Sequence, residues 1–395
     1  MRTRETRTAI TTALLLGVTI IGGPMLAPTA DAAAATGTAA GETTIRPATA
    51  IGNAWQGTLI HEAPLPAALQ LDGAGQAWRI WYESTAWDGA PTVVSGTLTV
   101  PPGEPPAGGW PVVSYSHGFG GTADQCAPSV QGPSPWERAL NDELLAGGYA
   151  IAATDYDGIG TPGEPSIVNG PSEAYSVIDI VRAARRVAPL SRDWISVGYS
   201  LGGHAALWSA HLADSYAPEL RHRGTVALAN FIQFPLQLAT EQVANPAAPL
   251  IPGTLYSGVT GPVTHPGWDA SQWFTPLGLG LIDKARTECV GQLAADVATV
   301  TNGQVFKDPA AAAAEFNRLL DPQDVPITRY PEPVRLAHGT ADGTPAAASA
   351  LTAQELAAAG TDVTYLPVPG ADHFTLLPTI APQVLTWARQ MFAGH

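Results

Sequence analysis

A serine lies in the stretch 198–202, which reads Gly-Tyr-Ser-Leu-Gly and has the pattern G-x-S-x-G. A run with strand character, 194–197, comes directly before it, and an alanine-rich run typical of a helix, 203–210, comes directly after it. At such a sharp strand-to-helix turn the small flanking residues let the backbone bend, and the serine hydroxyl stands clear of the sheet. The pattern and its context predict that Ser200 is a nucleophile.

A serine hydroxyl reacts poorly at neutral pH without a base, and the base needs a carboxylate to hold its tautomer and offset its charge. On hydrolases with this turn the chain order is serine, then aspartate or glutamate, then histidine. Asp342 follows the apolar run 334–337, and His373 lies between the run 363–367 and the final predicted helix. Both follow strand ends, where parallel sheets build their sites. We therefore predict Asp342 as the acid and His373 as the base.

Four other residues compete for these roles. Asp372 adjoins His373, but sequence neighbours rarely point at each other well enough to orient a ring. His338 precedes the acid at a strand end, which favours a structural hydrogen bond over catalysis. His204, one turn past the nucleophile, is interpreted as a core histidine with satisfied hydrogen bonds. His117 is interpreted as a brace for its loop.

Acyl transfer also needs donors for the developing oxyanion. The backbone amide of Leu201, directly after the nucleophile, is predicted to be one donor. The other is expected in the loop 116–121, which reads Ser-His-Gly-Phe-Gly-Gly and follows a strand. We favour the amide of Phe119, with Gly120 as the runner-up. The alternative is a glycine-rich turn with no catalytic part.

The elements that position these residues alternate between strand and helix from residue 110 onward, which predicts an α/β fold with a mostly parallel central sheet flanked by helices. Two earlier strands, 78–82 and 92–100, are joined by a hairpin signal at Asp88-Gly89. Later strands are predicted at 110–115, 149–154, 194–197, 225–229, 334–337 and 363–367. Helices are predicted at 136–146, 173–187, 346–359 and 378–392.

The alternation stops between residues 231 and 329. This stretch mixes aromatic residues and prolines, among them Phe231, Phe234 and Pro235, with helical pieces at 282–300 and 310–320. We interpret it as an inserted helical cap over a core made of 51–230 and 330–395, and its apolar content suits a greasy substrate. Plain packing against the core is the alternative reading of that apolar content.

The first 32 residues have the form of a secretory signal peptide. Arg2, Arg4 and Arg7 precede an apolar run over 9–22, and Ala-Asp-Ala at 30–32 offers a cleavage site near Ala32. A retained membrane anchor is the alternative. No later segment holds about 18 continuous apolar residues. Residues 33–50 are interpreted as a flexible start to the secreted, extracellular chain.

Charge and cysteine content narrow the function classes. The formal net charge is −15 with no basic cluster, which makes nucleic acid an unsuitable partner. In an exported protein, an even count of two cysteines favours a disulfide over two buried free thiols or a metal site. No dinucleotide, phosphate-loop or zinc-peptidase motif is present, so we expect no cofactor and no metal.

Beyond the elbow, three further stretches carry a resemblance to a known family. They are Cys-Ala-Pro-Ser at 126–129, Asp-Tyr-Asp-Gly at 155–158 with Gly160, and Ser-Tyr-Ala-Pro-Glu-Leu at 215–220. With them the chain resembles the secretory lipases related to Candida antarctica lipase A, from about residue 78 to the C-terminal region.

The resemblance implies an α/β-hydrolase fold and the same triad of Ser200, Asp342 and His373. It also implies a cap between the nucleophile helix and the acid strand, and a bridge between Cys126 and Cys289. Two positions depart from the family. Gly120 stands where fungal relatives carry an acidic residue, and Leu201 replaces a smaller residue.

These observations predict a secreted carboxylic-ester hydrolase, a lipase or lipase-like esterase, that works through an acyl-enzyme. Its expected partners are a lipid or other acyl ester and transiently a lipid interface, and no protein partner is implied. A secreted serine aminopeptidase of the same fold is one alternative, and a non-catalytic exported binding protein is another.

Overall fold

One sheet of nine strands runs through the described part of a computed structural model, which comprises residues 55–230, 242–344 and 346–394. The predicted signal peptide 1–32, the segment 33–50 and the start of the predicted cap, 231–241, lie outside the described residues. The strands are β1 Leu59–Pro64, β2 Gln76–Thr85, β3 Pro91–Val100, β4 Trp110–Ser116, β5 Ala150–Thr154, β6 Leu190–Tyr199, β7 Arg221–Leu228, β8 Val334–Gly339 and β9 Val363–Val368.

The strand order is β1-β2-β3-β5-β4-β6-β7-β8-β9. The pairs from β5 through β9 are parallel, whereas β1, β2 and β3 pair antiparallel with their neighbours. This confirms the predicted mostly parallel sheet. Strand β1 was not predicted from the sequence. It lies at the sheet edge and is mostly exposed, so it lacks the apolar alternation that marks a buried strand.

Helices cover both faces of the sheet. The helices that precede β7 are α1 Pro128–Gln131, α2 Pro135–Ala146, α3 Gly170–Val187 and α4 Leu201–Tyr216. Two more follow β8 and β9, namely α10 Ala346–Ala358 and α11 Leu376–Ala393. Helices α2 and α11 pack in one apolar cluster, and α3 and α4 pack in another. No described helix is both long and apolar enough to cross a bilayer.

Alternation along the strands divides these two cores. Val113 and Ile195 face the cluster of α2 and α11, whereas their neighbours Val112 and Trp194 face the cluster of α3 and α4. All four side chains are fully buried. Because successive side chains of a strand point to opposite faces, a strand covered on both faces is apolar along its whole length.

Between β7 and β8 the described residues form no strand; besides a helical turn at 242–244, they form five α-helices. They are α5 Ser257–Thr264, α6 Pro276–Ala285, α7 Val290–Asp296, α8 Asn302–Val305 and α9 Pro309–Leu320. These helices bury their own apolar cluster, which includes Phe274, Phe306 and Phe316. The three rings lie within 5.1–6.1 Å of one another, centre to centre. We call residues 242–323 the helical insertion.

The helical piece predicted at 282–300 is wrong as one continuous helix. The chain leaves α6 at Ala285 and starts α7 at Val290. Cys289 caps α7, where its amide donates a hydrogen bond to the Gln292 side chain at 3.1 Å. Cys289 also forms a disulfide with Cys126. The disulfide and the helix cap lie at the same residue and separate α6 from α7.

The disulfide joins the loop after β4 to the helical insertion across 163 residues of sequence. Closing a loop of that size restricts the unfolded chain and stabilises the folded one by up to about 5 kcal/mol. We expect the double variant Cys126→Ala/Cys289→Ala to unfold at clearly lower urea concentration than the wild type. Wild-type protein with a thiol reductant should then match the variant. Equal midpoints for the oxidised wild type and the variant would contradict the expectation.

Candidate active site

The corner between β6 and α4 forces an unusual backbone at Ser200. Its φ is 55°, a left-handed value that a residue with a side chain rarely adopts. Gly198 and Gly202 make the corner possible by close backbone contact. A Cβ atom on Gly198 would lie 1.8 Å from the Gly202 carbonyl oxygen, and one on Gly202 would lie 1.8 Å from the Ser116 carbonyl oxygen. The strain at Ser200 is therefore held by packing on both sides.

Three side chains from separate loops converge beyond this corner. His373 Nε2 lies 3.0 Å from Ser200 Oγ, and His373 Nδ1 lies 2.7 Å from Asp342 Oδ2. Since an ionised carboxylate only accepts hydrogen bonds, Nδ1 donates to Asp342, and Nε2 is left to accept from the serine hydroxyl. The Asp342 side chain is 1% exposed, whereas that of His373 is 23% exposed and open to a reactant.

The environment of Asp342 keeps it ionised. Burial raises the pKa of its carboxyl, but hydrogen bonds from His338 and His373 outweigh burial and hold that pKa well below its usual range. The amide and hydroxyl of Thr344 each donate to Oδ1 at 2.8 Å. A carboxylate with this many donors keeps its charge at any pH suited to a histidine base.

The competing residues have other partners. Asp372 Oδ1 accepts from the amides of Phe374 and Thr375 at 3.0 and 2.7 Å, so it caps its own turn. The Tyr199 hydroxyl donates to the His373 carbonyl at 2.9 Å and so fixes the backbone of that loop. His338 makes no hydrogen bond to Ser200; its Nδ1 lies 2.7 Å from Ser349 Oγ.

His204 is buried on α4, and its Nδ1 lies 2.7 Å from Glu173 Oε2. Burial lowers the pKa of His204, but the Glu173 carboxylate outweighs burial and raises it above the ordinary value. His117 donates from Nδ1 to the Gly118 carbonyl at 2.6 Å. Neither ring is hydrogen-bonded to Ser200.

The loop after β4 is fastened from two sides. The Gly118 amide donates to Glu137 Oε1 at 2.9 Å, and Glu137 is itself buried on α2. The Gly120 carbonyl accepts from the Val290 amide of the helical insertion at 2.9 Å. No described residue accepts a hydrogen bond from the amides of Phe119, Gly120 or Leu201. These amides are the ones predicted as oxyanion donors.

Sequence reasoning missed two residues that shape this loop. Ser-Pro-Trp-Glu at 134–137 has the pattern of a helix-capping signal, which could have pointed to Glu137. In the structure Ser134 Oγ donates to Glu137 Oε2 at 2.5 Å. Its second bond to Gly118 carries no local signal. Tyr256 packs edge-on against Phe119 at 4.5 Å between ring centres, and it comes from the helical insertion far along the chain.

The surroundings of the site are apolar. Phe374, next to His373, is 42% exposed and packs 4.8 Å from the ring of Trp136. Leu201 is buried directly behind the nucleophile. Among the described residues, no group of three or more histidine, cysteine or acidic side chains has the arrangement of a metal site.

Comparisons with known proteins identify similar families and folds. The family model described as secretory lipase matches residues 136–245. Lipase A of Moesziomyces aphidis is 27% identical over 195 residues, which are 44% of this chain and 40% of that protein. A secreted triacylglycerol lipase of Malassezia restricta is 30% identical over 190 residues, 42% of this chain and 36% of that protein. A probable inactive lipase of Mycobacterium tuberculosis is 29% identical over 167 residues, 38% of this chain and 36% of that protein.

Solved structures match over most of the chain. The rice cell wall degrading esterase LipA of Xanthomonas oryzae has a TM-score of 0.69 at 18% identity, over 85% of this chain and 98% of that one. Candida antarctica lipase A in its closed state has a TM-score of 0.68 at 20% identity, over 86% of this chain and 83% of that one.

The fold is therefore that of the α/β hydrolases, and the resemblance to secretory lipases is confirmed. The curated relatives carry the names of lipases, and these solved structures are those of an esterase and a lipase. The chain spans only 32–40% of the length of the curated relatives it matches, and one of them carries the name of a probable inactive lipase.

The close approach at Gly202 generates a stability prediction. Gly202→Ala should cost about 3 kcal/mol of unfolding free energy or more, because the new methyl group meets a backbone oxygen that cannot move aside. Urea unfolding followed by tryptophan fluorescence measures this. Gly280→Ala is the control, since Gly280 lies exposed in α6 with nothing within 4 Å of its Cβ position. That control should be neutral or gain up to about 1 kcal/mol. A Gly202→Ala variant as stable as wild type would contradict the steric explanation.

Proposed function

We propose that this protein is a secreted carboxylic-ester hydrolase, a lipase or lipase-like esterase, that acts through Ser200, His373 and Asp342. The observation that carries the proposal is the position of His373, whose two ring nitrogens lie 3.0 Å from Ser200 Oγ and 2.7 Å from Asp342 Oδ2. Secretion rests on the signal peptide predicted at residues 1–32 and on the secreted lipases among the relatives.

The chemistry follows from the protonation states in this arrangement. Ser200 Oγ attacks the ester carbonyl while its proton passes to His373 Nε2, and the carboxylate of Asp342 stabilises the imidazolium that forms. The amides of Leu201 and Phe119 donate to the tetrahedral oxyanion, with Gly120 as the runner-up for the second donor. His373 then protonates the leaving alcohol, and the acyl group stays on Ser200 Oγ. In the second half, His373 Nε2 takes a proton from a water molecule that attacks the acyl carbonyl, and it returns this proton to Ser200 Oγ as the acid leaves.

The substrate class is inferred from the apolar side chains around the nucleophile. Leu201 is buried behind Ser200, and Phe119 and Tyr256 pack together where the loop after β4 meets the helical insertion. Trp136 and Phe374 form a further apolar pair beside His373. An acyl chain gains about 0.8 kcal/mol for each methylene group that leaves water. We propose acyl esters with an aliphatic chain, including lipids, as substrates.

Replacement of the nucleophile tests the proposal directly. Ser200→Ala should lower hydrolysis of p-nitrophenyl butyrate by at least about 10⁴-fold, since no other described hydroxyl lies within bonding distance of His373 Nε2. Ser209→Ala is the matched control: Ser209 is buried on the same helix and donates only to the Ala206 carbonyl, at 2.7 Å. The control should keep wild-type rates. Substantial turnover by Ser200→Ala, with its fold intact by circular dichroism, would refute the assigned role.

A substrate series tests the proposed class. For p-nitrophenyl esters from acetyl to palmitoyl, kcat/KM should rise by up to about fourfold per methylene group until the site is filled. Aminoacyl p-nitroanilides should be poor substrates in the same assay. Faster cleavage of the anilides than of every ester would favour the alternative of a serine aminopeptidase. A protein that hydrolyses neither and fails to react with a fluorophosphonate at Ser200 would be the inert binding protein.

A further inference from the structure

A second histidine ring lies against the carboxylate of the proposed acid. His338 Nε2 is 3.3 Å from Asp342 Oδ2, the same oxygen that His373 Nδ1 approaches to 2.7 Å. The side chain of His338 is completely buried, and it lies at the end of β8, four residues before Asp342. Two rings, one at the end of β8 and one in the loop after β9, thus share one carboxylate oxygen.

The acceptors around His338 Nε2 show that this nitrogen carries a hydrogen. Nε2 lies 3.1 Å from the carbonyl oxygen of Thr344 and 3.1 Å from its hydroxyl. That hydroxyl donates its proton to Asp342 Oδ1 at 2.8 Å. A carbonyl and a carboxylate only accept, so Nε2 carries a hydrogen that points at Thr344 and Asp342. His338 therefore supports the carboxylate both directly and through Thr344.

The other ring nitrogen extends the network away from the site. His338 Nδ1 lies 2.7 Å from Ser349 Oγ on α10, and Ser349 Oγ lies 2.8 Å from Oδ1 of Asn230, two residues after β7. All three side chains are buried. Asn230 Nδ2 has no hydrogen-bond partner among the described residues. If the Asn230 side-chain amide is turned over, its Nδ2 donates to Ser349 Oγ. The Ser349 hydroxyl then donates to Nδ1 of a neutral His338 ring. With either amide orientation Nε2 keeps its hydrogen.

We propose that His338 is a positioning residue that orients Asp342 and shares its charge, and that Ser349 and Asn230 hold the ring in place. A buried carboxylate needs hydrogen-bond donors to remain ionised, and each donor draws charge away from the oxygen that faces His373. His338 thereby limits how strongly Asp342 stabilises the protonated form of His373. This inference rests on the proposed function only in assigning Asp342 and His373 to one triad.

Loss of the His338 donor should act on His373 in a known direction. With less of its charge shared, Asp342 stabilises the imidazolium more strongly, so the midpoint of the His373 titration should move to higher pH. The direction is the same whether His338 is neutral or charged, since either form donates to Asp342. Asp372 and Tyr199, the other titratable groups close to Asp342, are unchanged in the variants used.

The test compares four single variants by nitrogen-15 NMR titration of the histidine rings and by the pH profile of kcat/KM. His338→Leu removes the donor, whereas the amide of His338→Gln can restore one at the position of Nε2. Ser349→Ala removes the partner of Nδ1. Thr352→Val is the matched control, because Thr352 is buried on the same helix and its hydroxyl donates only to the Ala348 carbonyl of that helix, at 3.0 Å.

We expect His338→Leu to lower kcat by about 10- to 100-fold with little change in KM, and to raise the titration midpoint of His373. Ser349→Ala should change both quantities in the same directions by a smaller factor. His338→Gln should recover most of the loss, and Thr352→Val should match wild type. If His338→Leu fails to fold, the shift in Ser349→Ala together with wild-type-like His338→Gln carries the test.

An unchanged His373 titration in folded His338→Leu, or in Ser349→Ala when His338→Leu does not fold, would overturn the proposal. So would equal losses for His338→Leu and His338→Gln with no shift in either, since that pattern marks a purely structural role. The NMR titration needs no substrate. A wild-type protein that hydrolyses no ester would therefore refute the proposed function while the titration still decides the role of His338.

Discussion

The backbone contact between the end of β4, the end of β6 and the first turn of α4 is the constraint on which the site depends. Gly198 and Gly202 let these segments approach until a single methyl group would collide with a carbonyl oxygen. The approach bends the chain sharply enough to hold Ser200 at a φ of 55°. A serine in relaxed strand or helix geometry would direct its hydroxyl toward the sheet or along the helix surface. Here it lies at the edge of the sheet, 3.0 Å from His373.

The carboxyl edge of the parallel sheet supplies the other members of the site. Strands β8 and β9 are neighbours in the sheet, so the loops that follow them deliver Asp342 and His373 to one place although 31 residues separate the two in sequence. Each loop is fastened locally, Asp342 by Thr344 and His373 through the hydroxyl of Tyr199. The triad geometry is thus a consequence of strand order and of a few short hydrogen bonds, which leave little freedom to the imidazole.

The helical insertion and the loop after β4 are joined by covalent and non-covalent contacts. The disulfide, the bond between Val290 and Gly120, and the packing of Tyr256 on Phe119 all join them. On its other side the same loop is held by Glu137 of α2. The backbone amides proposed as oxyanion donors therefore belong to a segment clamped between the core and the insertion. These contacts fix the position of the loop relative to both the core and the insertion.

The sequence by itself determined the type and order of most elements, because apolar alternation and helical periods are local signals, and it pointed to Ser200, Asp342 and His373 through motif and chain order. It did not reveal β1, whose exposed edge position erases the alternation, nor the break at Cys289, which a distant cysteine imposes. It indicated only a local structural hydrogen bond for His338, and it did not single out Glu137. Their contacts with Gly118 and Asp342 depend on which strands and helices become neighbours. Only the tertiary structure decided those contacts, because a hydrogen bond between remote segments leaves no period or spacing in the chain.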